Sequence, residues 1–296
     1  MLPIVYSLIS VVCWGTSDFT GGYASKRSDA FLITLCAHLS GSALMLTSAL
    51  VTHAPVPDRA SQLWALLAGT MGGTALAIFY RTLAGGKMGL TAPVAALIGA
   101  AIPTAFGMMT EGIPGKLPIV GFLLAAAGIW LISRPEERPP ILSNGQPRTA
   151  DDPVLAGDGK RPEGIATAVL CGVGFAGFML SINQVGNSSV VWSAAYSRSA
   201  SLVVVGLIVL ARRQPIRLDR RGALLALLAG AIDVTGTALF IRADQTGRLD
   251  SAVVITSLYP AVTVILARLI LKEHFHRWRA LGILASLVAV PLIALQ

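Results

Sequence analysis

The chain has 296 residues, 54% of them hydrophobic and only 13% charged, with a formal net charge of +8. A water-soluble domain carries about 25% charged residues, so this chain lacks the polar surface to meet water on all sides, and a soluble globular enzyme is excluded. With a mean hydropathy of +0.70, the basic balance reads as Lys and Arg held in loops on the cytoplasmic side of a membrane, not as a nucleic-acid surface.

Taken in order, ten apolar runs are each long enough to cross about 30 Å of hydrocarbon as a helix. They are 2–23, 31–53, 62–83, 90–110 and 117–133, then 164–183, 190–211, 222–241, 251–271 and 279–295. Runs of this length without period-2 alternation predict helices. The first has no Lys or Arg before it and no clear cleavage site, so it is expected to stay in the protein. Cys13, Cys36 and Cys171 all fall inside apolar runs and read as small buried hydrophobes. Residues 134–161 are rich in Pro, Gly, Asp and charge, cannot bury apolar area, and read as a flexible polar linker.

The chain on either side of that linker repeats itself. Thr74 to Leu83, TALAIFYRTL, is echoed by Thr235 to Asp244, TGTALFIRAD, and Leu66-Leu67-Ala68-Gly69 by Leu227-Leu228-Ala229-Gly230 at the same offset. Five spans per half is an odd number, so the second half enters the membrane in the opposite sense. The expected fold is therefore an all-α integral membrane protein of ten transmembrane helices in two inverted five-helix repeats, 1–133 and 162–296. The loops agree: those after spans 1, 3, 5, 7 and 9 hold seventeen Lys and Arg, from Lys26 and Arg27 to Lys272, Arg277 and Arg279. The other face holds four, Arg59, Lys116, Arg242 and Arg248. That asymmetry puts the linker in the cytoplasm and both termini outside.

Charge at membrane depth costs at least about 2.5–3.5 kcal/mol per residue, so each such group needs a reason. Asp18 stands late in span 1, His38 in span 2, and Arg198 and Asp233 near the middle of spans 7 and 8. At an offset of 160, His38 falls on Arg198, so two basic groups share a depth. Asp18 and Asp233 are candidate proton or substrate-amine sites, and His38 and Arg198 candidate anion sites, converging between the halves. The plainer alternative is that Arg198 and Asp233 neutralise each other and fix the packing of spans 7 and 8. Tyr80, Phe240 and Tyr259 are candidates for the wall of a cavity. Pro93, Pro103 and Pro260 lie inside spans 4 and 9 and are expected bending points. The chain has no Gly-rich phosphate loop, HExxH, GxSxG or Cys/His metal spacing, so neither a cofactor nor a metal is expected.

Trp14-Gly15 in span 1, Leu258-Tyr259-Pro260 in span 9, and Lys272-Glu273 followed by Gly282 complete the pattern. With the ten spans in two repeats, they resemble the EamA-type members of the drug/metabolite transporter superfamily over nearly the whole chain outside the linker. The resemblance implies an exporter or facilitator of amino acids, metabolites or drugs that works without ATP hydrolysis and is not an enzyme. It implies a cavity lined by spans 1, 3, 4, 6, 8 and 9, and adds Trp14 to the pathway candidates. The expected partners are a small-molecule substrate and the lipid bilayer of the plasma membrane, with no nucleic acid and a monomeric chain. The competing functions are an intramembrane enzyme or lipid-handling protein using the same Asp and His, and a structural or sensory membrane subunit.

Overall fold

The computed structural model describes residues 2–25, 28–84, 88–133, 161–212, 218–271 and 277–294. Every regular element among them is an α-helix. In chain order these are α1 (Leu2–Ser25), α2 (Ala30–Val51), α3 (Arg59–Ala84), α4 (Met88–Thr110), α5 (Lys116–Ser133), α6 (Arg161–Asn183), α7 (Val190–Arg212), α8 (Arg220–Thr246), α9 (Leu249–Thr256), α10 (Tyr259–Leu271) and α11 (Arg277–Ala294). Residues 134–160 of the expected linker lie outside the described residues, and Arg161 already belongs to α6.

Helices suit this chain because each satisfies its own backbone, the condition that lipid imposes. Two helix starts are capped by aspartate side chains. Asp29 Oδ1 accepts from Phe31 N at 2.9 Å and Leu32 N at 3.2 Å at the start of α2, and Asp58 Oδ1 accepts from Ser61 N at 3.3 Å at the start of α3. Seven stretches among the described residues are long and apolar enough to cross a membrane, counting α9 and α10 together as Leu249–Leu271. Three shorter apolar stretches lie at Leu97–Thr110, Lys116–Ile132 and Ala280–Ile293. The outer surface is apolar where a soluble protein would be polar. On α7, Val203, Leu207 and Leu210 form an outward stripe at 60, 61 and 74% exposure, and acyl chains are the solvent that such a stripe fits.

The packing has a two-fold pattern. Helix α1 lies on α8 and α6 lies on α3; α2 meets α8 and α7 meets α3; α4 packs on α6, while α9 and α10 pack on α1. Helices α2 and α7 meet each other, as do α5 and α11. Exchanging α1–α5 for α6–α11 returns the same set of pairs. The closest approaches sit at glycines: Gly69 of α3 lies against the backbone of Ser197, and Gly230 of α8 against that of Ala37.

Span 9, expected as one helix over 251–271, is two. It starts at Leu249 and breaks at Ser257 and Leu258, directly before Tyr259-Pro260. Pro260 has no N–H to return to Thr256 and disfavours helical backbone at the residue before it. The chain crosses the break on tighter bonds, Leu258 N to Ile255 O at 3.1 Å and Ala261 N to Leu258 O at 3.0 Å. By contrast, α4 runs as one element through Pro93 and Pro103.

Candidate functional site

The break in span 9 faces a cavity at the centre of the helix bundle. Water-sized spheres fit inside it over about 160 Å³. Helices α1, α2, α3, α4, α6, α7, α8 and α10 all contribute to its wall, together with Ser257 from the break itself. Six of the eight residues singled out from sequence line it: Trp14, Asp18, His38, Arg198, Asp233 and Tyr259. Phe240 does not. It is fully buried behind the wall, its ring 5.6 Å from that of Trp14. The side chain of Tyr80 lies outside the described residues.

Each side chain is positioned by a local reason. Ser17 Oγ donates to Ala229 O at 2.9 Å and Ser10 Oγ to Gly236 O at 2.8 Å, which locks α1 against α8 on both sides of Trp14. Gly15 lets α10 come close, since a Cβ there would stand 2.6 Å from Tyr259 O. That approach places the Trp14 and Tyr259 rings edge to face at 6.1 Å. Thr263 Oγ1 ties the same helices by donating to Gly15 O at 3.0 Å.

The charged groups are not independent. Arg198 Nη2 stands 2.7 Å from Asp233 Oδ2, with the two side chains 10 and 27% exposed. Arg198 also donates to Thr237 Oγ1, which accepts from Trp14 Nε1 at 3.4 Å. A hydrogen-bonded chain thus runs from Trp14 through Thr237 and Arg198 to Asp233. His38 is 3% exposed, and its Nε2 has no hydrogen-bond partner among the described residues. Asp18 faces the cavity with no hydrogen-bond or ion-pair partner among them.

Sequence reasoning passed over two groups. One is the pair Phe175 and Phe178 of α6, which extends the aromatic wall from Phe79, with Phe79 and Phe175 edge to face at 5.9 Å. An aromatic residue within an apolar helix carries no sign that it faces a cavity. The other lies at the far end of α4, where Arg248 grips the fully buried Asp250 through Nε at 3.1 Å and Nη2 at 2.8 Å and donates to Glu111 O at 3.1 Å. The Glu111 carboxylate accepts from Leu249 N at 3.1 Å and so caps α9. The bond to Asp250, before any other influence, holds the Arg248 guanidinium above its ordinary pKa. Arg242, at the end of α8, is exposed and reaches Gln245, as an interface anchor does.

This cluster ties α4 to the start of α9. Removing one partner of a buried pair costs about 3–5 kcal/mol. With Arg248 28% exposed, Arg248→Ala is expected to destabilise the protein at the lower end of that range. A thermal unfolding midpoint in detergent checks this. A midpoint equal to the wild type's would show that water already compensates Asp250.

Residues 162–295 match the model of a family described as the EamA-like transporter family. A solved crystal structure, identified only as that of a protein, is similar over 99% of this chain and 98% of its own, with a TM-score of 0.75 and 14% sequence identity. At that identity the likeness shows the fold alone. No curated protein matches the chain.

Proposed function

We propose, for a chain whose residues 162–295 match the EamA-like transporter family, a secondary transporter that moves a small organic metabolite or drug-like solute across the plasma membrane by alternating access. The observation that carries this reading is the central cavity, with its unpaired carboxylate and buried ion pair set between helices of both halves. The two-fold set of helix pairs supports an inverted repeat, the architecture in which substrate sits near mid-membrane between repeats. The broken ninth span supplies a bending point beside the cavity. The loop charges favour a cytoplasmic linker and external termini. Asp18 and His38 do face one cavity, as an intramembrane enzyme would need, but the family is one of transporters and the wall is mostly apolar.

Alternating access has a direct test. Leu76 lines the cavity. In a protein whose Cys13, Cys36 and Cys171 are replaced by alanine, Leu76→Cys is expected to react with a membrane-impermeant thiol reagent applied from either side. Reaction from neither side would mark a sealed structural subunit and end the transport reading.

A further inference from the structure

We infer that the solute recognised by this cavity is a small organic cation, an ammonium group carried on an apolar body about the size of one aromatic ring, with Asp18 as its counter-charge. This rests on reading the cavity as the transport site and names what the site takes.

The charges decide the sign. Among the described lining residues the acidic and guanidinium groups are Asp18, Asp233 and Arg198, with the imidazole of His38 beside them. Arg198 is already used: it is 2.7 Å from Asp233 and hydrogen-bonded to Thr237. That pair is matched, which leaves Asp18 as the lining carboxyl group without an ion-pair partner among the described residues. A carboxyl group out of bulk water is held as the anion by a cation beside it and otherwise takes up a proton, so an ammonium group gains a counter-charge here. The occupied cavity therefore closes its charge balance with a single positive solute. An anion would have to open the Arg198–Asp233 pair first and would then face two carboxylates. On this inference Arg198 is the partner of Asp233 and not an anion site.

The wall selects the same chemistry. Trp14 and Tyr259 stand on one side, and Phe79, Phe175 and Phe178 belong to α3 and α6. Aromatic faces carry negative charge density and attract ammonium groups, Trp most strongly. The edge-to-face pairs Trp14–Tyr259 and Phe79–Phe175 set their rings at steep angles, 90° and 72°, so each pair offers both a ring face and an apolar edge. Size sets the upper limit. An engineered apolar cavity of about 150 Å³ holds benzene, and this one measures about 160 Å³.

Equilibrium dialysis of the purified protein in detergent against trimethylanilinium, its neutral isostere tert-butylbenzene, and benzoate tests the inference. The cation is expected to bind at least about tenfold more tightly than either of the others. Asp18→Asn is expected to remove that preference, about tenfold or more, while leaving tert-butylbenzene affected less than about twofold. Asp18→Glu, which keeps the charge, should retain the preference. Benzoate binding as well as the cation, no saturable binding of the cation, or cation binding indifferent to Asp18→Asn would each overturn it. Should Asp18→Asn fail to fold, the three-ligand comparison on the native chain still decides. Counterflow in proteoliposomes separates this inference from the transport reading. Asp18-dependent binding without uptake would sink transport and leave the cation assignment standing. Benzoate uptake that the cation does not inhibit would do the reverse.

Discussion

An Arg198→Ala protein is expected to lose about 3–5 kcal/mol of stability, because Asp233 would be left in the bundle without the guanidinium 2.7 Å away. Asp233→Asn should cost a similar amount, since Arg198, 8% exposed, would then be the stranded ion. Paired, the two charges recover in mutual attraction roughly what their desolvation costs, so an apolar replacement of both, Arg198→Met with Asp233→Leu, is expected to restore most of the stability. Unfolding midpoints for the two single variants and the double variant close a cycle. The double variant should melt well above the sum of the single losses. Additive losses would mean that the pair is a coincidence of rotamers. The same double variant separates fold from function. It keeps the bundle but removes the chain from Trp14 through Thr237 to Arg198 and leaves Asp18 as the only carboxyl group among the described lining residues. Restored stability together with intact selection for a cation would show that Asp18 acts without its neighbours.

The fold was legible wherever the physics is one-dimensional. A span is a count of apolar residues against a fixed membrane thickness, and α1 to α8 begin and end within a few residues of their expected limits. Leu249 is the exception that explains itself: Asp250 and Arg248 are charges, which in a hydropathy reading push the start of the span inward to 251, whereas the structure buries Asp250 completely by giving it Arg248. Pro260 was readable as a bending point, but not as a break. A proline only removes one bond; whether the helix restarts depends on what Tyr259 gains by turning toward Trp14.

The site was legible in depth and illegible in rotation. Counting along a helix says that Asp18, His38, Arg198 and Asp233 lie away from the ends, and energetic cost says that they face inward. It does not say which of them touch. Whether Arg198 stood beside Asp233 was open in the sequence, and the structure sets the two 2.7 Å apart. Phe240 shows the limit of rotation from the other side. Its echo of Phe79 suggested a shared wall position, and Phe79 does line the cavity, but Phe240 is packed behind Trp14. Phe175 of α6 meets Phe79 as Trp14 of α1 meets Phe240, but the larger indole takes the space in front of Phe240.

Gly69→Ala and Gly230→Ala are expected to be more damaging than their single methyl groups suggest, and damaging in matching ways. A Cβ on Gly69 would stand 1.9 Å from Ser197 O and 2.8 Å from Ser197 Cα; one on Gly230 would stand 1.9 Å from Ala37 O. These are backbone atoms, so no rotamer change relieves the clash. A carbon and a carbonyl oxygen come no closer than about 3.3 Å in ordinary contacts, so the paired helices must separate by more than an ångström. Overpacking of this kind costs about 1–3 kcal/mol and occasionally more. Here it also stretches the 2.8 Å bond from Ser201 Oγ to Gly69 O and the 2.7 Å bond from Ser40 Oγ to Leu227 O, which puts both variants at the upper end. The two sites are repeat partners, and each seats a helix immediately before a cavity residue, Arg198 after Ser197 and His38 after Ala37. Gly69→Ala should therefore loosen the Arg198–Asp233 pair by moving α7, and Gly230→Ala should displace His38 relative to α8. Gly22→Ala is the control: nothing lies within 4 Å of its added Cβ, and alanine in a helix gains up to about 1 kcal/mol over glycine. Unfolding midpoints in detergent should place Gly22→Ala at or above the wild type and the other two well below it. If Gly69→Ala and Gly230→Ala instead melt with the control, helices α3 and α7, and α8 and α2, have slack that a 1.9 Å approach denies, and the seats of Arg198 and His38 are softer than the packing implies.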